Sequence, residues 1–116
     1  MFRAVSEYAF EIAVQLGSNG NRVITLSGDF DLHATLRFKD MTAALMAGGC
    51  IAMVVNLDRA SYIDSTALGA LIGLQKRLNE AGGSLAVICS NRQIRTVFEA
   101  TGLLAVFRIR EAPLAP

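Results

Sequence analysis

Tyr62-Ile63-Asp64-Ser65-Thr66-Ala67-Leu68-Gly69-Ala70-Leu71-Ile72 is the stretch on which the reading of this chain turns. Its second half carries Leu68, Leu71, Ile72 and, further on, Leu78 at intervals that suit one face of a helix. Its first half supplies Asp64, Ser65 and Thr66, residue types that cap a helix by accepting from its free backbone N–H groups. The preceding run Ile51-Ala52-Met53-Val54-Val55-Asn56-Leu57 is short and almost continuously apolar, as in a strand covered on both faces. Asp58-Arg59-Ala60-Ser61 then reads as the chain leaving the sheet. A buried strand thus hands over to a helix, and the handover holds a hydroxyl, Ser65, beside unpaired N–H groups.

Upstream, residues 8–16 alternate loosely between polar and apolar, and Gly17-Ser18-Asn19-Gly20-Asn21 is a dense turn signal before Arg22-Val23-Ile24-Thr25-Leu26-Ser27. These predict two strands joined by a hairpin, the first amphipathic enough for a sheet edge. Gly28-Asp29-Phe30-Asp31 is expected to break the second strand. Leu32, Leu36, Met41, Ala44, Leu45 and Ala47 then recur at helical intervals until Gly48-Gly49. Downstream, Gly82-Gly83 closes the Ser65 helix, residues 84–89 form another buried strand, and Ser90-Asn91 offers a cap for a helix over residues 93–100. Residues 103–109 read as a last strand, and 110–116, with both prolines, as an irregular tail.

The predicted order is β-β-α-β-α-β-α-β, an α/β fold with a mixed, mainly parallel sheet and helices packed on it. Met53-Val54-Val55 and Leu85-Ala86-Val87 are its expected central segments. The length of 116 residues suits one domain, with a core over about residues 8–109.

With 53% hydrophobic and 18% charged residues, the chain has none of the low hydrophobicity of disordered sequences. Eleven Lys and Arg against ten Asp and Glu leave a charge of +1, which gives no general attraction for nucleic acid or an acidic membrane. No apolar run is long enough to span a bilayer, so direct membrane insertion is not expected. The first residues lack the pattern of a secretory signal, and Cys50 and Cys89 read as small buried residues of a reducing compartment. The expected location is the cytoplasm.

Four segments, taken together and in order, give the chain a resemblance to the STAS domains of the anti-sigma-factor antagonist family. They are Leu26-Ser27-Gly28-Asp29-Phe30-Asp31; Val54-Val55-Asn56-Leu57-Asp58 with Tyr62-Ile63-Asp64-Ser65-Thr66; Gly82-Gly83-Ser84-Leu85; and Val97-Phe98-Glu99-Ala100-Thr101-Gly102-Leu103. The resemblance implies a single STAS domain over residues 1–116 that binds an anti-sigma factor and so frees a sigma factor for transcription. It implies that this anti-sigma factor is also a serine kinase, and that Ser65, directly after the Asp of the strand-to-helix turn, is the phosphate acceptor. A phosphatase would reset the switch, and ATP and Mg²⁺ would belong to the kinase, with no cofactor on this chain. Asp31 matches the family's acidic residue of the first loop, and Asp29 the acidic position before it. Ala67 stands where many members have glycine, and many members continue into a fourth helix after the last strand.

Read from the residues alone, Asp64-Ser65-Thr66 is simply a cap, Thr66 rivals Ser65 as acceptor, and Asp29 and Asp31 are loop and cap residues. Tyr62, Ile63, Ala67 and Leu68 complete the expected partner-binding set if the turn exposes them; Tyr62, Ile63 and Leu68 are equally readable as core. His33 is single and reads as an ordinary residue of the first helix. There is no phosphate-cradling Gly-x-x-x-x-Gly-Lys loop, no His-Glu-x-x-His and no Gly-x-Ser-x-Gly, so neither enzymatic activity nor a bound metal is expected. A competing function on the same fold is that of a STAS accessory subunit holding the ATPase of a membrane transporter, with Ser65 never modified. A small-ligand sensor is a third.

Overall fold

The computed structural model describes residues 10–110. Five strands and three helices alternate along them: β1 (Phe10–Leu16), β2 (Arg22–Phe30), α1 (Leu32–Ala47), β3 (Ala52–Ile63), α2 (Ser65–Glu80), β4 (Ser84–Ile88), α3 (Arg92–Ala100) and β5 (Arg108–Arg110). The expected order of elements is present, and the strands lie side by side in sequence order in one sheet. β1 and β2 are antiparallel, and β2 through β5 are parallel. The expected central segments face each other, with Met53 opposite Leu85, Val54 opposite Ala86 and Val55 opposite Val87. Burial of Met53, Val54, Val55 and Leu57 accounts for the unbroken apolar run of β3.

The β1–β2 hairpin turns through Asn19 and Gly20, both at positive φ (60° and 80°), a conformation that asparagine and glycine tolerate best. Residues 8 and 9 of the expected first strand lie outside the described residues, as do residues 111–116 of the tail.

β3 is longer than its sequence suggests. Asp58-Arg59-Ala60-Ser61 does not leave the sheet; it stays paired with β2, whose own Gly28-Asp29-Phe30 does not break the strand either. The register slips twice, between Thr25 and Ser27 and between Gly28 and Asp29, and each time β3 carries one more residue than β2. Gly28 adopts φ 92° at the second slip. A glycine that reads as a strand breaker therefore stays in the strand opposite a bulge of β3, which bends the pair without ending it.

Beyond Asn56, β3 has no β4 residue beside it. The connection into α3 takes that side instead. The Asp58 carboxylate accepts from the Ser90 N–H (2.6 Å) and the Ser90 hydroxyl (2.9 Å), and the Asn91 amide donates to the Ala60 carbonyl (2.8 Å). The same Asn91 caps α3 by accepting from Gln93 and Ile94. α3 is thereby fastened to the end of β3 that leads into Asp64.

The inward face of α1 also differs from expectation. Leu32 and Leu36 are more than half exposed, whereas Ala34, Thr35, Phe38 and Thr42 are buried. Phe38 meets Phe30 edge-on, with 5.3 Å between ring centres, and Phe30 stacks on Phe10 at 6.1 Å. This aromatic cluster sets the rotation of the helix, because the large Phe38 ring packs onto a ring already buried at the end of β2. The buried Thr42 hydroxyl donates to the Phe38 carbonyl (2.9 Å), which makes threonine acceptable there. On α2, Ala67, Leu68, Ala70, Leu71, Leu74 and Leu78 are buried, while Ile72, expected inward, is 40% exposed.

The expected strand over residues 103–109 is mostly not a strand. Gly102 at φ 77° turns the chain into a single 3-10 turn, Leu103–Ala105, and only Arg108–Arg110 joins the sheet. The Leu103 carbonyl accepts from both Val106 and Phe107, so a short apolar run closes on itself. Apolar content alone does not separate that from a strand. Phe107 is buried edge-on against Phe98 at 5.8 Å.

Phe38→Ala should cost about 3–5 kcal/mol of stability, whereas Leu36→Ala should change it by about 0.5 kcal/mol or less. Chemical denaturation of the two variants checks the rotation of α1; equal losses would contradict it.

Candidate functional site

β2 and β3 run parallel and end together. Phe30 lies opposite Ile63, and the Asp64 N–H donates to the Phe30 carbonyl (3.3 Å). Each strand then enters a helix through an aspartate in extended conformation. The Asp31 carboxylate accepts from the Ala34 N–H (3.1 Å) and the Asp64 carboxylate from the Ala67 N–H (3.0 Å), the same bond to the third residue on. Two capped helix N-termini therefore stand side by side at one end of the sheet, and α1 and α2 pack against each other behind them. Of the three cap candidates, Asp64 is the cap of α2.

Ser65 and Thr66 are both exposed in the first turn of α2, but their hydroxyls differ. The Thr66 hydroxyl donates to the Asp64 carboxylate at 2.6 Å. The Ser65 hydroxyl has no hydrogen bond among the described residues. Burial by itself would raise the Asp64 carboxyl, but the Thr66 hydroxyl and the Ala67 N–H outweigh it, so the group titrates below its ordinary value of 3.8.

The remaining expected site residues divide by burial. Ile63, Ala67 and Leu68 are at most 7% exposed and belong to the core, so they brace the turn from beneath. Tyr62 is 52% exposed. Asp29 is half-buried opposite Tyr62 in the β2–β3 register, and the two side chains share a face of the sheet. The surface of the turn therefore offers Ser65, Thr66 and Tyr62, with Asp29, Asp31 and Asp64 set partly into it.

Two features are missing from the sequence-based set. An open cavity of about 420 Å³ lies between the end of β3 and α3, lined by Ser61, Tyr62, Ile63, Gln93, Ile94 and Val97 among others. It is mostly apolar and begins at the residue before Asp64. Leu32 and Leu36 form an exposed apolar pair one helical turn apart on α1. The competing period of Ala34, Phe38 and Thr42 was the signal for the second; nothing local in the sequence places α3 beside Tyr62.

His33 is exposed on α1. Among the described residues no cluster of three or more His, Cys, Asp or Glu could hold a metal ion, and no helix is long and apolar enough to cross a membrane. Cys89 is buried, and burial pushes its thiol above the ordinary value; Cys50, expected buried, is only partly so.

The STAS domain family matches residues 13–113 of the chain. An anti-sigma-B factor antagonist of Staphylococcus aureus (strain NCTC 8325 / PS 47) is 28% identical over 88 residues, covering 76% of this chain and 82% of that protein. The anti-sigma factor antagonist SpoIIAA in its unphosphorylated form is similar in structure, with a TM-score of 0.77 at 23% identity over 90% of each chain. The phosphorylated form of SpoIIAA, a Bacillus cell fate determinant, gives a TM-score of 0.73 at 22% identity, over 90% of this chain and 93% of that one.

Asp64→Ala should cost about 1 kcal/mol at pH 7 through loss of the cap. Because the folded-state carboxyl titrates below 3.8, its contribution is fully present above that pH and lost as the pH falls through the lower folded value. The stability gap between wild type and Asp64→Ala should therefore close in acid. Thermal unfolding from pH 7 to pH 2 checks this, and a gap that widens in acid would contradict it.

Proposed function

We propose that this chain, which belongs to the STAS domain family, is an antagonist that binds an anti-sigma factor and lets go of it when Ser65 is phosphorylated. The observation that carries the proposal is the Ser65 hydroxyl, exposed and, among the described residues, without a hydrogen bond at the first position of a helix whose cap is supplied by another residue. The printed names of its relatives support the choice of partner. The phosphorylated SpoIIAA supports the choice of modification. The protein acts in the cytoplasm, where its partner controls a sigma factor.

The anti-sigma factor is itself the serine kinase and brings ATP and Mg²⁺. The Ser65 Oγ attacks the γ-phosphorus of ATP, the bond from that phosphorus to the β-phosphate oxygen breaks, and ADP leaves. The hydroxyl proton passes to a base on the kinase or to water. This chain supplies only the nucleophile, held at a fixed place by the core residues Ile63, Ala67 and Leu68 beneath it. Hydrolysis by a phosphatase returns the free hydroxyl.

Thr66 is the poorer acceptor in this geometry. Its hydroxyl already donates to Asp64, so a phosphate on it would replace an attractive contact at 2.6 Å by repulsion and loosen the cap. On Ser65 the helix N-terminus favours an anion by about 0.3–1 kcal/mol, which offsets part of the repulsion from Asp64. The fold is left as it was, and the effect of the modification falls on binding. Phosphate adds about −1.5 to −2 charges to a surface that already holds Asp29, Asp31 and Asp64. A partner shaped for the unmodified turn must then bury or repel that charge, which weakens its grip.

Tyr62 is the exposed aromatic nearest in sequence to the acceptor and is the expected anchor of the complex. Ser65→Ala should bind the anti-sigma factor as wild type does and resist phosphorylation, whereas Ser65→Asp should bind about tenfold or more weakly. Calorimetry with the purified partner measures both. Normal binding by a correctly folded Ser65→Asp protein would overturn the electrostatic switch, and loss of folding in both variants would make Ser65 a structural residue.

A further inference from the structure

β3 outruns its neighbour. Its pairing with β4 ends where Asn56 faces Ile88, yet the strand continues to Ile63, so the stretch that leads to Tyr62 has no β4 residue on that side. Side chains take over there. The Asn56 side-chain oxygen accepts from the Asp58 N–H (2.9 Å), the Asp58 carboxylate accepts from the Ser90 N–H and hydroxyl, and the Asn91 amide donates to the Ala60 carbonyl (2.8 Å).

Asn91 does two different things with one side chain. Its oxygen accepts from the Gln93 and Ile94 N–H groups and caps α3, while its NH2 group donates to β3. Aspartate caps a helix about as well but has no proton to give, and serine caps on a shorter side chain. The bond to Ala60 is therefore what asparagine adds at this position. α3 does not need that bond to stay folded onto the domain. Ile94 and Phe98 are at most 2% exposed, and Phe98 meets Phe107 edge-on, so the core already seats the helix. What the bond fixes is the near end of α3, where Gln93, Ile94 and Val97 line one cavity with Tyr62.

We infer that Asn91 is a positioning residue for partner binding, its bond to Ala60 holding the near end of α3 beside Tyr62 and so setting that ring before the partner arrives. The inference rests on the proposed function, in which Tyr62, 52% exposed, anchors the anti-sigma factor. A ring already held in place loses less freedom on binding, so the bond acts on affinity. Ser65 is held by other contacts, the Asp64 cap above and the buried Ala67 and Leu68 below. Grip on the partner and presentation of the acceptor thus have separate supports, and the Asn91 bond takes no part in phosphoryl transfer.

Steady-state kinetics of Ser65 phosphorylation, by an anti-sigma factor with serine kinase activity and ATP, reads the two supports apart when this chain is the varied substrate. Asn91→Ser keeps a cap and loses the bond to Ala60. Its KM should rise about threefold or more while kcat stays within about twofold of wild type. Tyr62→Ala should raise KM about tenfold or more, and adding Asn91→Ser to it should change KM by less than about twofold, because the ring that the bond positions is gone. A general loss of stability would not produce that dependence on Tyr62. Circular dichroism at the assay temperature should show every variant folded. An unchanged KM in Asn91→Ser, a fall in kcat as large as the rise in KM, a full additive effect on the Tyr62→Ala background, or loss of folding in Asn91→Ser would overturn the inference and leave the proposed function standing. A wild-type chain that the kinase does not phosphorylate would overturn the proposed function and the role of Asn91 with it.

Discussion

Everything at the working end of this protein depends on two parallel strands that finish in the same place. The Phe30–Ile63 pairing and the bond from the Asp64 N–H to the Phe30 carbonyl fix the last step of β2 against the last step of β3. From that shared end each chain segment must become a helix at once, and an aspartate makes the change by accepting from the third residue on. Once Asp64 has the cap, the next residue is freed from structural duty. Ser65 can then face solvent, its hydroxyl unengaged among the described residues, while Ala67 and Leu68, two and three positions further on, are sealed in the core. Rigid support directly below an exposed hydroxyl suits the proposed modification, and here it follows from strand register and helix geometry.

Much of this arrangement was legible in the chain. The Asp-Ser-Thr sequence before a helical apolar period announces a cap, and the alternation of buried strands with helices announces a parallel sheet; both are local signals of the kind that sequence carries well. The misreadings share one cause. Asp58-Arg59-Ala60-Ser61 looks like a loop because it is polar, yet it is a bulged strand whose Asp58 is engaged by Ser90, more than thirty residues away. Leu32 and Leu36 look like core because they are leucines, yet the Phe10–Phe30–Phe38 cluster turns the helix the other way. Residues 103–105 look like strand because they are apolar, yet the positive φ of Gly102 curls them. In each case a distant partner or a backbone angle overrode what composition implied, and neither is written locally in a sequence.

The same long-range contacts build the surface around Ser65. Asp58 and Asn91 fasten α3 to the unpaired side of β3, and this is what places Ile94 and Val97 beside Tyr62 to form the apolar cavity there. The proposed partner-facing end thus combines a cavity, an exposed aromatic ring, three carboxylates and the exposed Ser65 hydroxyl. In the proposed switch, the helix N-terminus favours a phosphate on Ser65, so its effect falls on the bound partner and not on the fold.

The central claim is that the turn was built around one acceptor atom. Incubating the purified chain with an anti-sigma factor that has serine kinase activity and ATP, then mapping the modified peptide by mass spectrometry, tests it most directly. The account predicts a single phosphate on Ser65 and none on Thr66, the hydroxyl already held by Asp64. Phosphate on Thr66, or a stable complex with that kinase in which Ser65 stays unmodified, would contradict it.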